Sequence, residues 1–194
     1  MVVTKRRYTF DVWFDSPANT TLAELVDGIP IERMSTTSDH GSVVKALWRW
    51  LDRAEEMGYG TVYLGPVAAL LDADSTRRNA REPDVFFLTQ DRQYLDAGRA
   101  IEGVPDLVIE VLSPTNRGDA LPGGEKWRDY ERFAVPYYWT VDPDAKTVAQ
   151  YEHRDGRLQQ VALLRPGDTL SSPLLPGITL PVATLFQRLR ASGR

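Results

Sequence analysis

The chain has 194 residues, 42% hydrophobic and 26% charged, a balance typical of a globular protein with one sizeable core. With no cysteine and only two histidines, it cannot form a disulfide framework, a thiolate metal site or a histidine-rich zinc centre. A net charge of -4 argues against a large positive surface for nucleic acid, and any metal site must use carboxylates, which favour Mg²⁺, Mn²⁺ or Ca²⁺.

The first half of the chain is predicted to contain a hairpin and one long helix. Residues 22–26 and 29–34 are β-rich runs on either side of Asp27-Gly28, a dipeptide typical of hairpin turns. From Ser42, apolar residues recur at helical spacing, and Gly58 is expected to stop the helix. The candidate N-caps of this helix are Ser38, Asp39 and Ser42.

The middle of the chain is predicted to alternate strands with a second helix. Strands are expected at 61–64, 67–71, 85–88, 106–112 and 137–141, and a helix at 124–133. The run 106–112 is apolar on both faces except at Glu110, as in a central strand that is buried on both sides. A glutamate at such a position needs a partner, because an unpaired buried charge is costly.

The last third of the chain is predicted to form a hairpin and a closing helix. The hairpin joins 148–153 to 158–164 through Asp155-Gly156, and the helix at 182–189 follows a proline-rich connection at 173–181. No repeat or linker divides the chain, so we expect one domain over 1–194. No run reaches the roughly 20 apolar residues that span a bilayer, and residues 1–10 lack a signal-peptide core, so we expect a cytoplasmic protein.

Two acids on neighbouring predicted strands are the candidate metal ligands. Asp84 begins one strand and Glu110 lies within the next long one, so both side chains can meet on one sheet. Two carboxylates held close together repel each other unless a divalent cation lies between them. Mg²⁺ commonly takes one or two protein carboxylates and completes its shell with water and substrate phosphate, an arrangement that fits phosphodiester hydrolysis.

Several motifs, in order along the chain, resemble a large bacterial family of proposed restriction-type endonucleases called the Uma-two family. The matching motifs are Pro83-Asp84, Glu110-Val111-Leu112-Ser113-Pro114, Lys126 followed by Tyr130, Val135-Pro136-Tyr137-Tyr138-Trp139 and Val141-Asp142-Pro143. The resemblance extends from about residue 24 to about residue 177, which is most of the chain. It implies the fold of the PD-(D/E)XK nucleases, an α/β fold with a central mixed sheet flanked by helices.

The resemblance also implies a mechanism and a set of site residues. Asp84 and Glu110 would hold Mg²⁺, with Mn²⁺ as a substitute, and the protein would hydrolyse DNA. Leu112 stands where the lysine of the nuclease motif usually lies, so the catalytic lysine is expected from the following helix, at Lys126. The preceding segment is longer than is usual for the family, and Pro122-Gly123-Gly124 could shift the start of that helix.

Further residues and other interpretations are compatible with the sequence. Glu24, beside the predicted hairpin, and His40, just before the predicted long helix, are additional candidates for the site, and the plain alternative for each is a polar residue that flanks the element. Asp106 lies four residues before Glu110 on one predicted strand and is a weaker alternative ligand. Glu110 could instead form a structural ion pair with an arginine such as Arg128 or Arg132. The rival function is a non-catalytic module that keeps the nuclease fold and binds nucleic acid or protein. The acidic net charge favours weak intrinsic DNA affinity, assisted by homodimerisation or by a partner protein.

Overall fold

Five α-helices and twelve strands occupy the described residues, 6–16, 23–32 and 36–189, of a computed structural model. The helices are α1 (Phe10–Phe14), α2 (Ser38–Glu56), α3 (Arg117–Ala120), α4 (Glu125–Arg132) and α5 (Val182–Leu185), with a 3-10 helix at Gln90–Leu95. The strands are β1 (Ala23–Val26), β2 (Ile29–Glu32), β3 (Gly60–Leu64), β4 (Ala69–Leu70), β5 (Ala80–Arg81), β6 (Val85–Thr89), β7 (Leu107–Val111), β8 (Tyr137–Asp142), β9 (Thr147–Arg154), β10 (Arg157–Leu164), β11 (Thr169–Leu170) and β12 (Leu180–Pro181). Within these ranges no helix is both long and apolar enough to cross a bilayer.

A mixed sheet in the order β10-β9-β8-β7-β6-β3 forms the centre of the structure. Its neighbouring strands are antiparallel, except that β7 and β8 are parallel. A parallel pair cannot be joined by a tight turn, so the chain crosses from β7 to β8 through α3 and α4. The predicted α/β fold with a central mixed sheet is confirmed.

One face of the central sheet is covered by α2. Successive residues of a strand point to opposite faces, so each strand presents every second side chain to this helix. The buried residues are Val85, Phe87, Leu107, Ile109 and Val111 from the sheet, with Val43, Leu47, Trp50 and Leu51 from α2. The odd-numbered residues of β6 and β7 therefore form the core on the α2 side.

The other face of the sheet is covered by α4 and carries the even-numbered residues. The buried residues there include Phe86 and Leu88 of β6, Val108 of β7, and Trp127 and Tyr130 of α4. Glu110 follows Val108 by two positions, so its side chain takes the α4 face, and it is 0% exposed. The prediction that this strand is buried on both sides is confirmed.

A second, four-stranded sheet, in the order β2-β1-β5-β4, brings the N-terminal part of the chain to the same region. Its antiparallel strands β1 and β5 pair Leu25 with Ala80. Glu24 and Arg81 lie one position beyond that pair, so they are opposite each other across the two strands. Tertiary pairing thus joins residues that are 57 positions apart in the chain.

The predicted hairpin and long helix are confirmed, with one correction to the helix start. Asp27 and Gly28 both have positive φ, at 46° and 82°, as the tight turn between β1 and β2 requires. Residue 22 and residues 33–34 of the predicted strands lie outside the described residues. The helix begins at Ser38 rather than Ser42, and its cap is Thr37, whose hydroxyl accepts a hydrogen bond from the backbone N–H of His40 at 3.2 Å. An apolar pattern that starts only at Val43 hides the polar first turn.

Several short elements escaped sequence analysis because they carry too few residues for a period to emerge. These are α1, β5, the 3-10 helix and α3, and also β11 and β12, the second of which lies within the proline-rich connection. The predicted strand at 67–71 is reduced to Ala69–Leu70, and the closing helix ends at Leu185 rather than at residue 189. These elements are held by tertiary contacts rather than by local preference.

The loop between β4 and β5 is organised by the buried carboxylate of Asp72. It accepts hydrogen bonds from the backbone N–H groups of Arg78 at 3.0 Å and Asn79 at 2.9 Å, and from the hydroxyl of Thr76. Burial alone would raise the pKa of Asp72, but these hydrogen bonds outweigh burial and hold the pKa below its usual value. The loop leads directly into β5 and so sets the position of Arg81.

We expect Asp72→Ala to lower the free energy of unfolding by about 1–3 kcal/mol at pH 7, because buried N–H groups lose their acceptor. The pKa of Asp72 is lower in the folded state than in the unfolded state, so its charge stabilises the fold. This stabilisation is fully present above the unfolded-state pKa of about 3.9 and is lost as the pH falls through the folded-state pKa. Urea unfolding of wild type and variant at pH 7 and pH 3 measures the difference, which should shrink at the lower pH. An equal difference at both pH values would contradict this assignment.

Candidate functional site

The two predicted ligand carboxylates come together at the junction of β6 and β7. These antiparallel strands pair Val85 with Ile109, and Asp84 and Glu110 lie one position beyond that pair. They are therefore opposite each other, and residues opposite each other in an antiparallel pair share a face. The backbone N–H of Val111 donates to Asp84 Oδ2 at 2.8 Å, which ties the first acid to the strand that carries the second.

Glu110 is held by two side chains of α4. Lys126 Nζ lies 2.9 Å from Oε1 and 3.1 Å from Oε2, and the hydroxyl of Tyr130 donates to Oε1 at 2.8 Å. Lys126 and Tyr130 are four residues apart, so they lie on one face of the helix. The structure therefore places a lysine of the following helix beside Glu110, as expected from the sequence.

The beginning of α4, which positions Lys126, is fixed by close packing against α3. Gly124 precedes the first helical residue, and a Cβ at this position would lie only 2.3 Å from the backbone oxygens of Gly118 and Asp119. Glycine is the residue that fits such a backbone approach. The longer connection before α4 therefore does not displace the helix from its predicted start, and Lys126 lies in the first turn.

Glu24 joins the same cluster from the second sheet. Lys126 Nζ lies 2.9 Å from Glu24 Oε1, so one buried ammonium group bridges two buried acids. Arg81 Nη1 donates to the other oxygen, Oε2, at 2.9 Å. The structure thus brings Glu24 to Lys126 and Arg81, in place of the plain hairpin-flanking role that was its alternative.

His40 reaches the site from the first turn of α2. Its Nε2 lies 3.0 Å from Asp84 Oδ2, and the imidazole is only 5% exposed. Asp84 Oδ2 therefore contacts both a backbone N–H and this ring. Sequence analysis placed His40 beside the helix start without a partner, and the tertiary fold gives it Asp84.

Arg81 and Asp129 are site residues that sequence analysis missed. Arg81 is 2% exposed, and its guanidinium donates from Nε to Asp129 Oδ2 at 2.8 Å while also holding Glu24. Asp129 lies on α4, one turn after Lys126. Arg81 therefore ties β1 to α4. No local pattern indicates this role, since a charged residue before Pro83-Asp84 looks like part of an exposed turn.

Other candidates lie outside the site. Asp106 is at the far end of β7, where Arg92 Nη1 at 2.6 Å and the hydroxyl of Thr89 at 2.9 Å hold its carboxylate. The prediction that Asp106 is an alternative metal ligand is therefore not supported, because it lies four residues, or about 13 Å, along the strand from Glu110. The proposed arginine partners of Glu110 are also wrong. Arg128 donates to the carbonyl of Gly123, and Arg132 lies 3.6 Å from Asp27.

The charges of the site are strongly interdependent. Burial raises the pKa of Glu110 to about 7; Lys126 opposes this rise, whereas Asp84 and Glu24 add to it. Burial would also raise the pKa of Glu24, but Lys126 and Arg81 outweigh burial and lower it to about 2. Burial by itself would lower the pKa of Lys126, but the surrounding carboxylates raise it above its ordinary value. Lys126 is thus a fixed cation at neutral pH.

The oxygen ligands of the site suit a hard cation that keeps part of its coordination shell for water and substrate. Glu24, Asp84 and Lys126 line a hollow of about 90 Å³, termed here the site cavity, together with Thr36, Asn116 and Glu125. Three buried acids surround one lysine, and burial, with a smaller contribution from repulsion by Asp84 and Glu24, raises the pKa of Glu110. In residues 6–16, 23–32 and 36–189, however, no three or more acids or histidines are arranged as a ready-made metal cage. Two carboxylates plus water and substrate oxygens would suit Mg²⁺, which rarely uses an all-protein cage.

Comparisons with known proteins agree with this architecture. A crystal structure titled as a "putative nuclease belonging to DUF820", from Anabaena variabilis ATCC 29413, has a TM-score of 0.65 at 16% identity, with 84% of this chain and 89% of that chain covered. At that identity the likeness shows the fold alone. No curated protein matches the chain. The model of the Uma2 family, described as "Putative restriction endonuclease", matches residues 14–183, well over half of the chain. The resemblance in the motifs is thereby confirmed, and the chain belongs to the Uma2 family.

Proposed function

We propose that this protein is a magnesium-dependent endonuclease that hydrolyses phosphodiester bonds of DNA at the site of Asp84, Glu110 and Lys126. The observation that carries the proposal is the buried Lys126 ammonium group, 2.9 Å from Glu110 Oε1, beside a second acid that lies opposite Glu110 on the neighbouring strand. The family description supports nuclease chemistry, and the mixed sheet is shared with a structure titled as a nuclease. DNA as the substrate rests on that family membership.

Asp84 and Glu110 would hold the cation, because they are the acids that the strand register places opposite each other. When bound, Mg²⁺ supplies Lewis-acid charge at the phosphoryl oxygen of the scissile bond. Val111 N–H and His40 orient Asp84, while Lys126 and Tyr130 orient Glu110. Both carboxylates are thus held in position before any ligand arrives, which lowers the cost of organising the site.

Lys126 would act as a fixed positive charge rather than as a proton acceptor. Its neighbouring carboxylates raise its pKa, so the ammonium group keeps its proton at neutral pH. A cation held at a phosphodiester stabilises the negative charge that develops on the phosphoryl oxygens in the transition state. Arg81 and Asp129 take no part in the chemistry; they hold Glu24, and through it Lys126, in place.

The rival function is a module that binds nucleic acid or protein without cleaving it. The observation in its favour is that Lys126 already lies between Glu24 and Glu110, where it competes with a cation for the same oxygens. The two functions differ in a single measurable property, metal-dependent cleavage by the purified protein.

We expect the purified protein to nick or linearise supercoiled DNA with Mg²⁺ or Mn²⁺ and to be inactive in EDTA. Asp84→Asn should abolish cleavage, because the amide keeps the side-chain shape but removes the charge that holds a cation. Asp106→Asn is the matched control: it changes a buried acid at the other end of the β6–β7 region, tied to Arg92, and should retain cleavage. If the wild-type protein leaves supercoiled, duplex and single-stranded DNA intact with either metal, the rival function stands.

We expect Glu110→Gln to weaken Mn²⁺ binding at least tenfold while preserving the fold, since it removes one of two charged ligands at constant volume. Isothermal calorimetry measures the affinity, and circular dichroism checks the fold. The wild-type protein should retain no zinc by elemental analysis, because the proposed ligands are all oxygen. Unchanged Mn²⁺ affinity in Glu110→Gln would make Glu110 only the structural partner of Lys126.

Lys126→Met should lower the rate of DNA cleavage by about 10² to 10³, the loss typical when one donor to a developing anion is removed. Mn²⁺ affinity should stay the same or rise, because Lys126 no longer competes for the oxygens of Glu110. Circular dichroism should show that Lys126→Met is folded. Lys126→Arg keeps the positive charge and should lose less activity than Lys126→Met. Lys146→Met, at an exposed turn, is the control. Cleavage by a folded Lys126→Met variant at the wild-type rate would remove Lys126 from the mechanism.

A further inference from the structure

A second hollow, larger than the site cavity, lies along the solvent side of α2. It has a volume of about 480 Å³ and is termed here the α2 groove. Its charged lining consists of Lys45, Arg49 and Arg53 of α2 and Arg188, which follows α5. No aspartate or glutamate is among the described residues that line it. In a chain of net charge -4, four cations and no acid in one groove form a local positive surface.

These four cations are free to bind an external anion. All four side chains are exposed, and no acidic group of the described residues forms an ion pair with any of them. Lys45, Arg49 and Arg53 follow each other at intervals of four residues, which makes one row with steps of about 6 Å along the helix. Like charges at this spacing disfavour a helix. A polyanionic ligand bound along the row would relieve this repulsion.

Hydroxyl groups supplement the cations in the wall of the α2 groove. Ser42 and Thr184 both line it, and a hydroxyl group can donate to or accept from a ligand. The lining thus suits a ligand that carries negative charge and many acceptor oxygens.

The linings of the α2 groove and of the site cavity come within two residues of each other at the start of α2. Thr36 lines the site cavity, Ser38 lines the groove, and the cap residue Thr37 lies between them in the chain. In the same turn, His40 contacts Asp84 of the site. A chain of phosphates that lies in the groove would therefore continue past the N-terminal end of α2 toward the acids.

We propose that the α2 groove binds the sugar–phosphate backbone of a nucleic acid and guides it to the site of Asp84 and Glu110. This inference rests on the proposed nuclease function. A regular row of cations matches a ligand with regularly repeated charges, and the proposed site carries the residue types of phosphodiester chemistry; both features favour nucleic acid over an acidic polypeptide. Contacts from arginine and lysine to phosphates carry no base information, so binding here is independent of sequence.

The test compares two triple variants of equal charge change in binding to a fluorescein-labelled 20-bp duplex, measured by fluorescence anisotropy in EDTA. The groove variant is Lys45→Gln, Arg49→Gln and Arg53→Gln, which preserves helix propensity. The control variant is Lys146→Gln, Arg157→Gln and Arg165→Gln, three exposed cations outside the groove. We expect the groove variant to bind about 10- to 100-fold more weakly at 0.1 M salt, with the slope of log affinity against log salt reduced by about 3. The control should change the slope little.

Stability gives an independent readout. The melting temperature of the groove variant should stay close to that of the wild type, because the removed repulsion between neighbouring cations on α2 offsets the loss of Arg53 from the last turn of the helix. Weaker binding together with a marked drop in melting temperature would mean damage to the helix, and the single variant Arg49→Gln, at the centre of the row, then decides. Weaker binding by that folded variant would support the groove, and wild-type binding by it would overturn the assignment.

The remaining outcomes are separable from those of the proposed function. Three outcomes would each overturn the groove as a nucleic-acid site. They are equal binding by the wild type and the groove variant, equal losses of affinity in both triple variants, and displacement of the duplex by poly-glutamate at equal charge concentration. Groove-dependent binding by a protein that does not cleave would refute the nuclease proposal and keep the groove. Cleavage at the wild-type rate by the groove variant would keep the nuclease proposal and refute the groove.

Discussion

The buried ammonium group of Lys126 is the interaction on which the candidate site depends. It contacts Glu24 and Glu110, two acids that would otherwise repel each other in a region closed to solvent. Burying charges is costly unless they are paired and hydrogen-bonded, and removal of one partner leaves the others uncompensated. Three parts of the fold, β1, β7 and α4, therefore meet at one nitrogen atom, and their relative positions are set by its hydrogen bonds.

The alternation of side chains along β6 and β7 explains why the acids can be so deeply buried and still lie together. Odd-numbered residues of both strands build the apolar core against α2, and even-numbered residues face α4. Asp84 and Glu110 belong to the second set and lie at the end of the shared ladder, where Asp84 lines the site cavity. The parallel crossover through α4 then delivers Lys126 and Tyr130 onto the same face.

The long helix α2 combines three roles that its sequence separates by position. Its apolar face, including Leu47 and Trp50, forms the core on one side of the central sheet. Its first turn presents His40 to Asp84. Its outer row of cations, which includes Arg49, lines a groove that extends to Ser38 in the first turn of the helix. One rigid element therefore links the hydrophobic core, the orientation of a carboxylate and a positively charged surface, so substitutions on it can be sorted by the face that they alter.

The sequence by itself singled out the two acids and the lysine that the structure brings together, because a glutamate within an apolar strand needs a partner and the motifs shared with the family mark Asp84 and Lys126. It also determined the long helix, the hairpins and the central buried strand, whose apolar periods and turn residues act locally. Only the tertiary structure decided which side chains form hydrogen bonds and ion pairs with one another. Arg81 meets Glu24 through pairing of β1 with β5, Asp106 is drawn away to Arg92, and His40 gains Asp84. Contacts between residues far apart in the chain depend on strand register and helix packing, which no local pattern encodes.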